Sequence, residues 1–159
     1  MTIAIRAATP ADAPVIHRFV RELAAFERAP DAVANTPENL AAQLAEPAPP
    51  FACLIAERGG APVGFALYFF NYSTWTGRPG LYVEDLYVTP ERRGEGAGRA
   101  LFVALAGIAR ARGCGRMEWS VLDWNAGAIA FYRAFGAAPL DEWTTFRLDA
   151  AALARVLSR

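Results

Sequence analysis

Eight residues between an apolar run and an amphipathic helix constrain this chain more than any others: Arg92-Arg93-Gly94-Glu95-Gly96-Ala97-Gly98-Arg99. They follow the apolar run Tyr82 to Val88 and a Thr89-Pro90 break. They lead into Leu101, Phe102, Leu105 and Ile108, which recur at helical spacing. Strand, glycine-rich turn and helix together turn unpaired backbone N–H groups toward an anion, and the helix dipole favours negative charge at that end. Glycine removes the side chain that would hold a bulky phosphate away. Flanking arginines add charge-assisted hydrogen bonds. The stretch reads as a grip on the pyrophosphate of a nucleotide-like cofactor; the competing reading is a tight strand-to-helix turn with no ligand.

Spacing decides which cofactor. A Walker-type phosphate loop needs Gly-Lys-Ser/Thr, and the sequence contains no lysine. A dinucleotide fingerprint needs Gly-x-Gly-x-x-Gly, but counting from Gly94 or Gly96 the third position is Arg99 or Leu101. What remains is Arg-x-x-Gly-x-Gly, met by Arg93, Gly96 and Gly98. This spacing resembles the acetyl-CoA pyrophosphate loop of the GNAT acetyltransferase superfamily.

Composition narrows the class. At 159 residues the chain fits one domain, 1–159, with enough buried surface to need no staples. No apolar run reaches the ~18 residues that span a bilayer, and no signal peptide is evident. Cys53 and Cys114 stand apart in no metal-ligand spacing, so they read as free thiols of a reducing compartment, the cytoplasm. No metal is expected. A formal net charge of zero argues against a nucleic-acid footprint. Without lysine, a Schiff base or lysine nucleophile is impossible.

Along the chain, Ile3 to Arg6 reads as a strand. Thr9-Pro10-Ala11-Asp12 reads as a capping box opening a helix with Ile16, Phe19, Val20, Leu23 and Phe26 inward. Thr36-Pro37-Glu38 opens a shorter helix with Leu40 and Leu44. Phe51 to Glu57 and Val63 to Asn71 form a hairpin about Gly59-Gly60, and Ser73 to Gly80 is a loop before the central strand Tyr82 to Val88. The next helix runs to about Arg112 with Gly113 as its stop. Met117 to Leu122 is a strand, and Asn125 caps a helix with Ile129, Tyr132 and Phe135. Trp143 to Leu148 is a last strand, and Asp149 caps a terminal helix with Leu153, Val156 and Leu157.

That order, β-α-α-β-β-β-α-β-α-β, is similar to the GNAT order over nearly the whole chain. The resemblance implies an α/β GNAT fold: a single mixed, largely antiparallel sheet of six to seven strands with helices on both faces. Leu23 to Glu27, Phe65 to Phe70, Val83 to Val88, Trp124-Asn125 and Phe131-Tyr132 resemble the diamine (spermidine/spermine) and thialysine acetyltransferase branch.

Acetyl transfer to an amine requires that an ammonium lose a proton, that the developing oxyanion find donors, and that the leaving thiolate receive a proton. Glu84 is the candidate base. Strict alternation places Tyr82, Glu84, Leu86 and Val88 on one face of the strand and Val83, Asp85 and Tyr87 on the other. A carboxylate in so apolar a strand is costly without a partner, and a salt bridge to one of the sixteen arginines is the competing account. Asp85 reads as structural. In the resembled branch the glutamate of this Glu-Asp pair touches the amine, directly or through water. Tyr132, about two turns past Asn125, is the candidate acid; the resemblance puts it beside the cofactor sulfur, and a core tyrosine is the alternative.

The resemblance further implies acetyl-CoA held by backbone groups of Leu86, Tyr87 and Val88, by the loop Arg93, Gly94, Glu95, Gly96, Ala97, Gly98 and Arg99, and by Asn125, Ala128 and Tyr132. For the acceptor it implies Phe26, Glu27, Trp75 and Glu84, with an acid near Asp141 or Glu142 closing the far end. Ser73 stands where diamine enzymes carry an acid, and Phe26 where they carry a tyrosine. His17 reads as a boundary residue. The expected protein is an N-acetyltransferase acting on a primary amine of a small molecule, with no nucleic-acid or membrane partner, and a homodimer. The alternatives are a protein N-terminal or lysine acetyltransferase, and a non-catalytic acyl-CoA-binding protein.

Overall fold

The computed structural model describes residues 2–158. Its backbone packing falls into two compact units, one ending at Ser120 and the other beginning at Val121.

The first unit contains β1 (Ile3–Ala7), α1 (Ala13–Phe26), α2 (Pro37–Leu44), β2 (Ala52–Arg58), β3 (Ala61–Ser73), β4 (Arg78–Val88), α3 (Ala97–Ala111) and β5 (Arg116–Glu118). The strands lie in the order β1-β2-β3-β4-β5. Pairing is antiparallel through β4, whereas β5 runs parallel to β4 and matches only Gly80 to Tyr82.

Local chemistry sets the helix ends. Asp12 accepts from the backbone N–H of Thr9 at 2.8 Å, and Pro10 sits where no hydrogen-bonding N–H is needed. Thr36 caps α2 by accepting from Asn39 N–H at 3.2 Å. Past α3, Gly113 takes φ +69°, and Cys114 N–H reaches back to Ala109 O at 2.9 Å, closing the helix.

Two apolar layers sandwich the sheet. On one face Leu54, Ala56, Val63, Ala66, Tyr68, Leu81 and Val83 pack under Ala97, Leu101, Leu105 and Ala109 of α3. On the other Cys53, Ile55, Phe65 and Tyr87 meet Ile16 and Phe19 of α1 and Leu40 of α2. Phe19 stacks on Phe65 with ring centroids 5.6 Å apart. Burying each such large side chain stabilises the fold by roughly 1.5–3 kcal/mol before entropy is counted.

The hairpin arms are longer than the sequence suggested. β3 and β4 stay paired out to Ser73 and Arg78, so the expected loop from Ser73 to Gly80 shrinks to four residues, 74–77.

The second unit holds α4 (Ala126–Arg133) and α5 (Ala150–Leu157). Asn125 caps α4 by accepting from Ala128 N–H at 3.1 Å, and Asp149 caps α5 by accepting from Ala152 N–H at 2.7 Å. Two expectations are corrected. The strand Met117 to Leu122 is confined to Arg116–Glu118, and Trp143 to Leu148 forms no strand, so among the described residues the sheet has five strands rather than six to seven. The segment is rich in aromatic and β-branched residues, but a strand also needs a paired strand beside it; Trp143 N–H instead bonds back to Leu140 O at 3.1 Å, and Trp143, Phe146 and Leu148 stay 64%, 91% and 54% exposed.

Candidate active site

The glycine loop folds as its composition demands. Gly94 and Gly96 adopt φ of +79° and +93°, in the left-handed region open to glycine, and Gly96 is the residue from which α3 starts. The first helical bond runs from Ala100 N–H to Gly96 O at 2.9 Å, so the N–H groups of Ala97 and Gly98 precede the helical ladder. A Cβ placed at Gly94 or Gly96 would meet nothing within 4 Å. Room for a phosphate and donors to hold it therefore coincide, and these residues fit the pyrophosphate of acetyl-CoA.

The loop follows directly from β4, whose outer edge is open. Pairing with β5 stops at Tyr82, and among the described residues no strand continues it past that point. The stretch Leu86, Tyr87 and Val88 thus pairs with β3 on one side only, as an extended ligand arm would require. One of its groups is engaged: Val88 O accepts from Arg93 Nε at 3.1 Å. The Arg93 guanidinium lies over the rings of Phe26 and Tyr87, 4.8 and 5.8 Å from their centroids. It faces α1 rather than the glycine turn.

Alternation along β4 breaks at Glu84. Leu67 faces Asp85 and Tyr68 faces Val83, which leaves Glu84 as the extra residue of a β-bulge. The expected division of faces is corrected accordingly. Val83, Leu86 and Val88 share the α3 side, while Tyr87 belongs to the α1 side. Glu84 is exposed, so the bulge removes the cost of burying its charge. The desolvated carboxylate is its neighbour. Burial, followed by the charges of Glu84 and Glu27, pushes Asp85 up to about 6. Partial burial likewise raises Glu27 from its ordinary value. Glu84 and Glu27 therefore both act electrostatically on Asp85, which the sequence reading took as structural. Its signal in the sequence was the pair of adjacent acids itself, which strict alternation separated onto opposite faces.

Phe26 and Glu27 stand together at the end of α1, with Phe26 close to Tyr87 through the shared Arg93. Burial, and then a hydrogen bond with Glu22, push the Tyr87 phenol up to about 12. Trp75 does not join this group. It is 87% exposed in the turn at the far end of the β3–β4 hairpin. At about 3.3 Å per residue, the nine steps from Arg78 to Tyr87 separate it from Phe26 by roughly 30 Å. Ser73 is buried and its hydroxyl accepts from Thr76 N–H at 3.3 Å, so it serves the turn.

In the second unit Tyr132 is half-buried in the second turn of α4, with its ring edge-on to Phe131 at 5.3 Å. Asn125 and Ala128 are bonded to each other as cap and capped residue. Asp141 and Glu142 are exposed.

Other polar residues have local tasks. His17 pins the approach to α2 through a 2.9 Å hydrogen bond between its Nε2 and Asn35 O. Cys53 is buried, which raises its thiol far above the reactive range. Among the described residues no three His, Cys, Asp or Glu side chains are grouped to hold a metal, and no helix is long and apolar enough to cross a membrane.

The profile of the acetyltransferase (GNAT) family matches residues 16–137. The chain belongs to the GNAT acetyltransferase family. A curated GNAT relative, thialysine N-epsilon-acetyltransferase of Sus scrofa, is 40% identical over 163 aligned positions, covering 96% of this chain and 95% of its own. The human spermidine/spermine N(1)-acetyltransferase-like protein 1 is 39% identical over 155 positions, covering 91% of this chain and 22% of its own. Among solved structures, an integron cassette protein of V. cholerae superposes with a TM-score of 0.82 at 24% identity, covering 100% of this chain and 99% of the other. This GNAT chain is therefore an acetyltransferase, and GNAT acetyltransferases use acetyl-CoA as co-substrate.

Proposed function

We propose that this GNAT enzyme transfers the acetyl group of acetyl-CoA to a primary amine of a small molecule, by direct attack while both substrates are bound. The observation that carries the reading is the sequence of features along β4: a coupled acidic cluster at Glu84 and Asp85, an open edge at Leu86 to Val88, then a glycine turn with unpaired donors. A cationic amine lowers the cost of gathering Glu27, Glu84 and Asp85, whereas an acidic or neutral acceptor does not. Kinship with the thialysine and spermidine/spermine enzymes supports the same acceptor class.

Acetyl-CoA supplies an activated thioester. The Arg93-to-Arg99 loop binds its pyrophosphate through the first N–H groups of α3, and the backbone of Leu86 to Val88 aligns the arm that follows. Glu84, exposed at the bulge, takes the ammonium proton, directly or through water. Asp85 and Glu27 hold the cation, with the Phe26 ring against its methylenes. Tyr132 gives a proton to the departing thiolate; its support is its place two turns past the Asn125 cap. Trp75 is left out of the acceptor site of its own chain. The two units work as one domain, consistent with a family match that spans both. The protein acts as a homodimer in the cytoplasm, and the exposed rings of Tyr72 and Trp75 offer area for a second copy to cover.

With Ser73 buried in place of an acid, a short acceptor with one extra cationic or polar group suits the cluster better than spermine. The test is thiol release from acetyl-CoA across spermine, spermidine, putrescine, propane-diamine, thialysine and a histone-tail peptide. A small diamine or thialysine should give the highest kcat/KM. Spermine in the lead would overturn the short-acceptor reading, and the peptide in the lead would overturn the small-molecule one.

A further inference from the structure

A carboxylate sits in the middle of the phosphate-binding turn. Glu95 lies between Gly94 and Gly96 in the loop expected to face the most highly charged part of acetyl-CoA. Left alone it would repel each phosphoryl oxygen. It is not alone: Arg58 Nη1, at the end of β2, lies 2.8 Å from both of its carboxylate oxygens. Arg92 Nη1 lies farther off, 3.6 Å from Oε1. Side-chain exposures are 28% for Arg58 and 30% for Glu95, so the pair is partly shielded from water and salt. As a stability device such a half-exposed pair contributes little. Its position is what counts, because it joins the β2–β3 hairpin to the one turn whose left-handed glycines must hold their shape for a ligand.

We propose that Arg58 is a positioning residue for the cofactor: it cancels the charge of Glu95 and fixes the glycine turn so that the first N–H groups of α3 meet pyrophosphate without opposition. Arg58 acts through Glu95 and needs no contact with the cofactor. The proposal rests on the acetyl-CoA reading above.

The experiment compares wild type, Arg58→Ala and Arg58→Ala/Glu95→Gln. Calorimetry reads the Kd of acetyl-CoA, steady-state kinetics reads the KM of acetyl-pantetheine, which lacks the pyrophosphate, and the melting temperature checks the fold. Arg58→Ala should weaken acetyl-CoA at least tenfold while the acetyl-pantetheine KM moves less than twofold, and the double variant should recover most of the lost affinity. An unchanged Kd, an equal loss with acetyl-pantetheine, or no recovery in the double variant would each overturn the role of Arg58. Wild type that binds no acetyl-CoA would instead remove the underlying reading, and the inference with it.

Discussion

Asp85 is the residue at which structure and chemistry pull against each other. Its ordinary pKa near 3.8 is raised to about 6 in the fold, first by burial and then by Glu84 and Glu27. A raised acid favours the unfolded chain once that chain can ionise. The cost is therefore absent below about pH 4, grows between pH 4 and 6, and stays in full above. Asp85→Asn should accordingly be more stable than wild type at pH 7.5, by roughly 2 kcal/mol, and no more stable at pH 4. Its KM for the acceptor should rise, the usual exchange of activity for stability at a strained site. Denaturant titrations at the two pH values check this, and an equal difference at both would rule out a buried-charge origin.

Among the elements, the bulged β4 matters most, and β3 holds it in place. A Cβ at Gly64 would lie 2.5 Å from Tyr87 O and 3.1 Å from a methyl of Val88. Gly64→Ala must therefore push β4 aside along the stretch read as the cofactor's backbone partner. The expected cost is about 1–3 kcal/mol, with a several-fold rise in the KM for acetyl-CoA. Thermal melts and kinetics at fixed acceptor test it, and a variant matching wild type in both would show that β4 yields freely. This also marks how far the sequence could be read. Thr9-Pro10, Thr36-Pro37, Gly113 and Asn125 were legible because caps are settled by side chains a few residues away. The spacing of Arg93, Gly96 and Gly98 was legible for the same reason. The bulge at Glu84 was not, since it arises from register between β3 and β4, and with it Val83 was placed on the wrong face. Trp75 does lie in the loop between β3 and β4, as read, but how far that loop stands from Phe26 depends on where the hairpin's pairing ends. Trp143 to Leu148 has the composition of a strand, but composition does not decide which strand lies beside it.

For the whole molecule, an ionic cluster ties the start of the first unit to β2. Arg6 on β1 donates to Asp12 at 2.7 and 2.9 Å and to Glu57 on β2 at 2.8 Å. The hydrogen bonds from Arg6 hold the Asp12 carboxyl down at about 2, outweighing its burial. A depressed acid stabilises the fold in full above its unfolded value near 4, and that contribution is lost as pH falls from about 4 to 2. Because Arg6 is 39% exposed, about 1–2 kcal/mol is the expected size after screening. Asp12→Asn should lower stability at pH 7 and flatten the acid limb between pH 4 and 2, followed by circular dichroism. A variant with the same acid limb as wild type would assign acid unfolding to other groups.

The strand order also has a consequence for how the chain is made. From β2 to β4 each strand lies beside the one synthesised just before it, joined by Gly59-Gly60 and by residues 74–77. A nascent chain can close these two hairpins soon after they leave the ribosome. β1 must wait for β2 with both early helices in hand, and β5 can dock only after α3 has crossed the sheet. The glycine turn therefore takes its final form late in synthesis, after the β2–β3 hairpin that carries Arg58 is already built.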